Sequence, residues 1–123
     1  MIVDDESHIR SLIEQSLEEL EDNGVDFFTA ENGEQALEII KTENPQLVFL
    51  DVMMPKMNGM EVCRRVKKEL NMEDVYIVLL TAKGQELDRI KGQEVGADVY
   101  ITKPFSPDAL LKKAREVLGI AAG

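Results

Sequence analysis

The run Leu47-Val48-Phe49-Leu50 is wholly apolar and ends on Asp51; no other stretch restricts the fold as much. Four apolar residues, bounded by turn signals, predict a strand buried on both faces, as in parallel sheets covered by helices. The following Met54-Pro55-Lys56-Met57-Asn58-Gly59 carries the Pro, Asn and Gly of a turn. Ligands of open α/β sheets bind beyond the carboxyl ends of the strands, so Asp51 stands where chemistry would be done. A lone carboxylate there could equally just terminate the strand, so the other strand ends decide its meaning.

Strand and helix signals alternate around this run. Met1-Ile2-Val3 stops at Asp4-Asp5-Glu6 and predicts a short first strand. Ile9, Leu12, Ile13, Leu17 and Leu20 form one stripe of a helix over 6–20, stopped by Asn23-Gly24. Residues 25–30 predict a second strand. A helix with Ala36, Leu37, Ile39 and Ile40 inside follows Glu31-Asn32-Gly33 and ends near Asn44-Pro45. A third helix over 59–70 is expected to bury Val62, Cys63, Val66 and Leu70. The fourth strand, 75–80, ends at Thr81-Ala82-Lys83-Gly84. A weaker helix over 85–95 contains Gly92, which costs about 1 kcal/mol relative to Ala. Val99-Tyr100-Ile101 is a fifth strand running into Thr102-Lys103-Pro104. Ser106-Pro107, a hydroxyl N-cap before Pro at the first helical position, starts a last helix with Leu110, Leu111, Ala114, Val117 and Leu118 inside. Residues 1–119 thus read as one α/β domain and 120–123 as a tail. The alternation predicts a parallel sheet with right-handed crossovers and helices on both faces.

A chain of 123 residues forms one domain with a real core. Its net charge of -10 argues against direct nucleic-acid binding, which needs clustered Lys and Arg, and suits a divalent cation and protein partners. Cys63 is the only cysteine, so no disulfide framework is possible and the reducing cytoplasm is the expected location. At the third helix's inner stripe it reads as a small core residue. No apolar segment is long enough to span a bilayer, and no signal-peptide pattern opens the chain.

The predicted sheet collects Asp4, Asp5, Asp51, Thr81 and Lys103 at one edge. Two unit charges about 4 Å apart repel by about 4 kcal/mol at an effective dielectric near 20, so a cation is expected among the carboxylates. A few carboxylates in an open site suit Mg2+ shared with a phosphate. Lys103 and the Thr81 hydroxyl could then hold phosphate oxygens, and Asp51 could attack phosphorus to give an aspartyl-phosphate.

These residues recur in the receiver domains of two-component response regulators, which the chain resembles over its full length. The resemblance rests on Ile2-Val3-Asp4-Asp5-Glu6 with Ile9-Arg10, on Leu50-Asp51-Val52-Met53-Met54-Pro55 with Met57-Asn58-Gly59, on Thr81-Ala82, and on residues 96–105 from Gly96-Ala97-Asp98 to Lys103-Pro104-Phe105. It implies a flavodoxin-like three-layer sandwich, strand order 2-1-3-4-5, with five helices. It implies Asp51 as phosphoacceptor, Asp5 as a direct Mg2+ ligand, Asp4 assisting through water, and the Met53 main-chain carbonyl as a further ligand. Thr81 and Lys103 would contact the phosphoryl group, Tyr100 would follow Thr81 as a switch, and the bond before Pro104 would be cis. The implied partners are a sensor histidine kinase or phosphotransfer protein and a downstream protein that the sequence does not name. The chain would catalyse only its own phosphorylation and dephosphorylation.

Two features depart from the family. The first strand lacks several residues that precede the position of Ile2. Val99 and Ala109 replace charges that cross the dimer interface in receivers pairing through their last two helices, so a monomer is expected without phosphorylation. Rival readings are an aspartate-nucleophile phosphatase of the haloacid dehalogenase type and a receiver-like scaffold that is never phosphorylated. The first requires an acid two residues after Asp51, where Met53 cannot transfer a proton.

Overall fold

The computed structural model describes residues 1–54, 56–82, 94–103 and 105–120. Five parallel strands, β1 (Ile2–Val3), β2 (Thr29–Ala30), β3 (Leu47–Asp51), β4 (Tyr76–Ala82) and β5 (Val99–Lys103), form one sheet in the order β2-β1-β3-β4-β5. Between them run α1 (Ser7–Ser16), α2 (Gly33–Glu43) and α3 (Gly59–Arg64), and α4 (Pro107–Leu118) follows β5. The strand order and three-layer architecture are those expected from the sequence. The helix predicted over 85–95 falls mostly outside the described residues, as does Pro104.

All five residues of β3 are buried, and alternation sends them to two cores. Leu47 and Phe49 join Val78, Leu80, Ile13, Leu17, Leu110 and Ala114 on the face covered by α1 and α4. Val48 and Leu50 join Ile77, Leu79, Leu37, Ile40, Val62 and Val66 under α2 and α3. Asn32 and Asn58 cap α2 and α3 by accepting from the Gln35 and Glu61 amides at 2.9 and 3.0 Å. Ser106 holds the N-cap position of α4, but its hydroxyl makes no capping bond; Pro107 alone marks that start.

Several boundaries differ from expectation. The first helix stops at Ser16 and continues as a 3-10 turn, Glu18–Asn23, closed by Gly24 at φ 82°. Leu12 is 42% exposed, because it lies about 100° of helix rotation from Ile13, at the edge of the stripe. Beyond Arg64, α3 widens into a π turn, Arg65–Glu69, with the Leu70 amide on the Arg65 carbonyl at 2.8 Å. The extra residue sets back the helical phase and leaves Leu70 at 36% exposure. β2 is two residues long rather than six. Its register pairs Ile2 with Thr29 and Val3 with Ala30, and the Ile2 amide donates to the Phe28 carbonyl at 2.9 Å. Val25 and Phe27 instead line a cleft of about 390 Å3 with Met1, Leu47, Phe49 and Leu118. The Met1 main-chain nitrogen donates to the Leu47 carbonyl at 2.8 Å. Ile120, the described part of the expected tail, donates to the Arg115 carbonyl at 3.0 Å and packs on the α1–α4 core.

The π turn also brings Lys67 inward, only 7% exposed. Its ammonium donates to the Val75 and Glu73 carbonyls at 2.6 and 3.0 Å and to Asp98 Oδ2 at 2.9 Å, satisfying all three donors. Asp98 also accepts from the Ile77 amide at 2.9 Å, so one pair ties together the beginnings of β4 and β5. Lys67→Ala strands these acceptors and, since the Asp98 side chain is 31% exposed, is expected to cost about 2–3 kcal/mol. Urea denaturation of the two proteins measures the difference.

Candidate functional site

Asp51 ends β3 and is only 5% exposed. The chain leaving it is fixed at once: the Val52 amide donates to the Leu80 carbonyl at 3.0 Å and the Gly59 amide to the Val52 carbonyl at 2.9 Å. The returning loop passes so near that a Cβ on Gly59 would lie 2.2 Å from the Asp51 carbonyl oxygen. Gly33 answers the same need, since its Cβ would lie 2.0 Å from the Met57 carbonyl oxygen. Both follow a capping Asn, so each Asn-Gly pair starts a helix and lets neighbouring backbone approach. Lys56 in this loop adopts φ 67°, a left-handed conformation that costs a non-Gly residue about 1–2 kcal/mol.

Asp4 and Asp5 follow β1, the neighbour of β3 in the sheet. Asp4 is fully buried; its Oδ1 accepts from the Glu6 amide at 3.0 Å. Asp5 is exposed. Each of Asp4, Asp5 and Asp51 offers a carboxylate oxygen, all within 4.8 Å of one another. Lys103, at the end of β5, crosses β4 to reach them, its Nζ 3.1 Å from Asp4 Oδ2 and 3.2 Å from Asp51 Oδ1.

These contacts set the ionisation of the site. Burial pushes the Asp51 carboxyl up to about 6, the Asp4 charge adds to this, and Lys103 opposes it. Burial disfavours the Lys103 ammonium, but attraction to Asp51 and Asp4 outweighs that and holds its pKa above the ordinary lysine value. The donors fit a hard divalent cation. They are all oxygens, two are recessed, and Asp5 opens to solvent, as suits an ion that keeps several of its waters.

Thr81 is buried at the end of β4, opposite Thr102 in the β5 ladder. Lys103 likewise belongs to β5, opposite Ala82, two residues beyond the Val99-Tyr100-Ile101 expected for the strand. Tyr100 pairs with Leu79 and packs, half-buried, against the α2–α3 core. Met53, two residues after Asp51, is 61% exposed. Arg10, quoted above only as part of a motif, proves to belong to the site: its guanidinium donates to the Asp4 carbonyl at 2.7 Å. One helical turn separates it from Glu6, which places it over the strand end, but periodicity alone does not show that contact. Cys63 is buried, and desolvation pushes its thiol up to about 12, which leaves it unreactive.

This chain belongs to the response regulator receiver domain family, whose sequence model matches residues 1–115. It is 49% identical over 118 residues to a protein named probable transcriptional regulator ycf27 of Porphyra purpurea, covering 96% of this chain and 46% of that one. It is 46% identical to the phosphate regulon transcriptional regulatory protein PhoB of Pseudomonas aeruginosa, covering 96% of this chain and 50% of that one. The chain therefore spans about half the length of the curated relatives it matches. The receiver domain of a Francisella response regulator superposes with a TM-score of 0.84 at 31% identity, over 96% of this chain and 93% of that one. Receiver domains are signalling switches of two-component systems.

Because its pKa rises from 3.8 to about 6 on folding, Asp51 binds its proton more tightly in the folded chain. The contribution of Asp51 to metal-free stability therefore falls as the pH rises from about 4 to about 6, and its full cost is present above that window. In EDTA near pH 7.5, Asp51→Asn is expected to be more stable than wild type by about 1–3 kcal/mol, with the gap closing towards about pH 4. Denaturant melts at both pH values measure it.

Proposed function

We propose that the chain is a phosphorylation-dependent switch in which a sensor histidine kinase or phosphotransfer protein donates a phosphoryl group to Asp51. The observation that carries this reading is the meeting of Asp4, Asp5, Asp51 and Lys103 at one strand end. An Asp51 carboxylate oxygen attacks phosphorus. The P–N bond of the donor phosphohistidine breaks, and its electron pair stays with the imidazole, which takes up a proton. Asp4, Asp5, Asp51 and the main-chain carbonyl of Met53 would hold Mg2+. Bound there, the ion neutralises carboxylate and phosphoryl oxygens together. Lys103, already 3.2 Å from Asp51, contacts an oxygen of the transferred group, and the Thr81 hydroxyl contacts another.

The modification adds about -1.5 to -2 charges next to Thr81, enough to draw its hydroxyl inwards. Tyr100, half-buried on the adjacent strand, then turns into the space released and alters the surface read by a downstream protein. The chain catalyses only its own phosphorylation and the hydrolysis of that product. A cytoplasmic setting with the kinase suits it, and no helix among the described residues is long and apolar enough to cross a membrane. The names of its relatives favour an output in transcription. The charge of -10 favours reaching that output through a partner surface rather than by direct contact with nucleic acid. Val99, half-buried, and Ala109, exposed, offer no charges for pairing, so the unphosphorylated domain is a monomer. A dehalogenase-type phosphatase finds no second acid at Met53, and a scaffold without phosphorylation has no use for the buried Asp4–Lys103–Asp51 arrangement.

Incubation with acetyl phosphate and Mg2+ is expected to add one phosphoryl group by intact-mass spectrometry. EDTA or Asp51→Asn removes the product. Labelling that survives Asp51→Asn would place the acceptor elsewhere.

A further inference from the structure

The motif after β1 contains a residue that the proposed chemistry does not use. Arg10 is a basic residue beside three acids, yet it contacts main chain rather than a carboxylate of the cluster. Its Nη1 donates to the Asp4 carbonyl at 2.7 Å, a short distance for a charge-assisted bond. That carbonyl belongs to the peptide joining Asp4 to Asp5. The guanidinium therefore holds the one backbone unit on which the orientation of both acids depends.

The other arm of the guanidinium reaches a second loop, with Nη2 4.0 Å from Glu31 Oε2. Glu31 is itself fixed: its amide donates to Gln35 Oε1 at 2.8 Å, and the Gln35 amide returns a bond to Asn32 Oδ1 at 2.9 Å. Gly33 in the same turn lies against the Met57 carbonyl of the loop after β3. Arg10 thus ties the turn carrying Asp4 and Asp5 to a braced loop, which in turn abuts the loop following Asp51. The Arg10 side chain is 20% exposed, which shelters its bond to the Asp4 carbonyl, whereas Glu31 is 63% exposed and its contact at 4.0 Å is the weaker of the two.

We propose that Arg10 is a positioning residue for the cation site: by holding the Asp4–Asp5 peptide against the Glu31 loop, it sets how tightly Mg2+ binds. The role rests on the Mg2+ reading of the acidic cluster given above. Positioning and simple charge predict opposite signs. By Coulomb attraction alone, removing a cation beside three carboxylates strengthens the binding of another cation. Loss of a group that orients the ligands weakens it, by about tenfold or more where such outer contacts have been removed.

Calorimetric Mg2+ titrations of wild type, Arg10→Met, Arg10→Lys and Asp5→Asn at one ionic strength separate the two. Arg10→Met is expected to bind Mg2+ about tenfold more weakly than wild type. Arg10→Lys, which keeps one donor for the Asp4 carbonyl but cannot span to Glu31, should fall between them. Melts in EDTA check that each variant folds; if Arg10→Met does not, Arg10→Lys carries the test and is expected to bind more weakly than wild type. Affinity in the folded variants equal to or tighter than that of wild type overturns the positioning role. If wild type binds no Mg2+, or Asp5→Asn binds it equally well, the cation reading itself fails and the role of Arg10 falls with it.

Discussion

One ammonium group holds the working end of the sheet together. Lys103 stands 3.1 Å from Asp4, which follows a strand three places from its own, and 3.2 Å from Asp51, on a strand two places away. Without it, two buried carboxylates would face each other across β1 and β3, repelling by a few kcal/mol at the dielectric of such a site. Burial, with the Asp4 charge added to it, still raises the Asp51 pKa to about 6 against the opposing pull of Lys103. Three carboxylates around one ammonium give the ionised cluster a net negative charge, and the phosphoryl chemistry proposed for it depends on that charge.

The sheet is what makes this crowding possible. β3 and β4 bury alternate side chains in two cores, and their ladder runs unbroken from Leu47 against Tyr76 to Asp51 against Leu80. Hydrophobic burial on both faces supplies the stability that the strand ends give up. The Lys67–Asp98 pair secures the beginnings of β4 and β5, at the opposite end from Thr81 and Lys103. The loops above the site are brought close by Gly33 and Gly59, whose missing side chains leave room for backbone. Rigid strands below and closely stacked loops above are what a switch needs if a small change at Asp51 is to be felt at Tyr100.

The parallel sheet and the meeting of Asp4, Asp5, Asp51 and Lys103 were legible because apolar runs end abruptly on polar groups, and parallel topology sends all those ends to one edge; the strand order came from the family resemblance alone. What periodicity missed were interruptions of period. The π turn that turned Lys67 inward and Leu70 outward leaves no mark in the apolar stripe. The break after Ser16 comes from backbone torsion at Leu17, whose φ is -107°. The length of β4 and β5 was understated because Thr81, Thr102 and Lys103 are polar, and a polar residue in a ladder reads as a loop. Arg10 was visible as a motif letter but not as a contact, since its partner is a main-chain oxygen that no side-chain pattern encodes.

The most direct test of the account is the ionisation of Asp51 itself, followed through its carboxyl carbon by NMR across a pH titration. In EDTA the account predicts a midpoint of about 6, and in saturating Mg2+ a fall to below about 4 as the cation replaces the missing charge. A midpoint near the ordinary 3.8 in EDTA, unmoved by Mg2+, would contradict it: Lys103 would then already balance the site, leaving no deficit for a cation to fill.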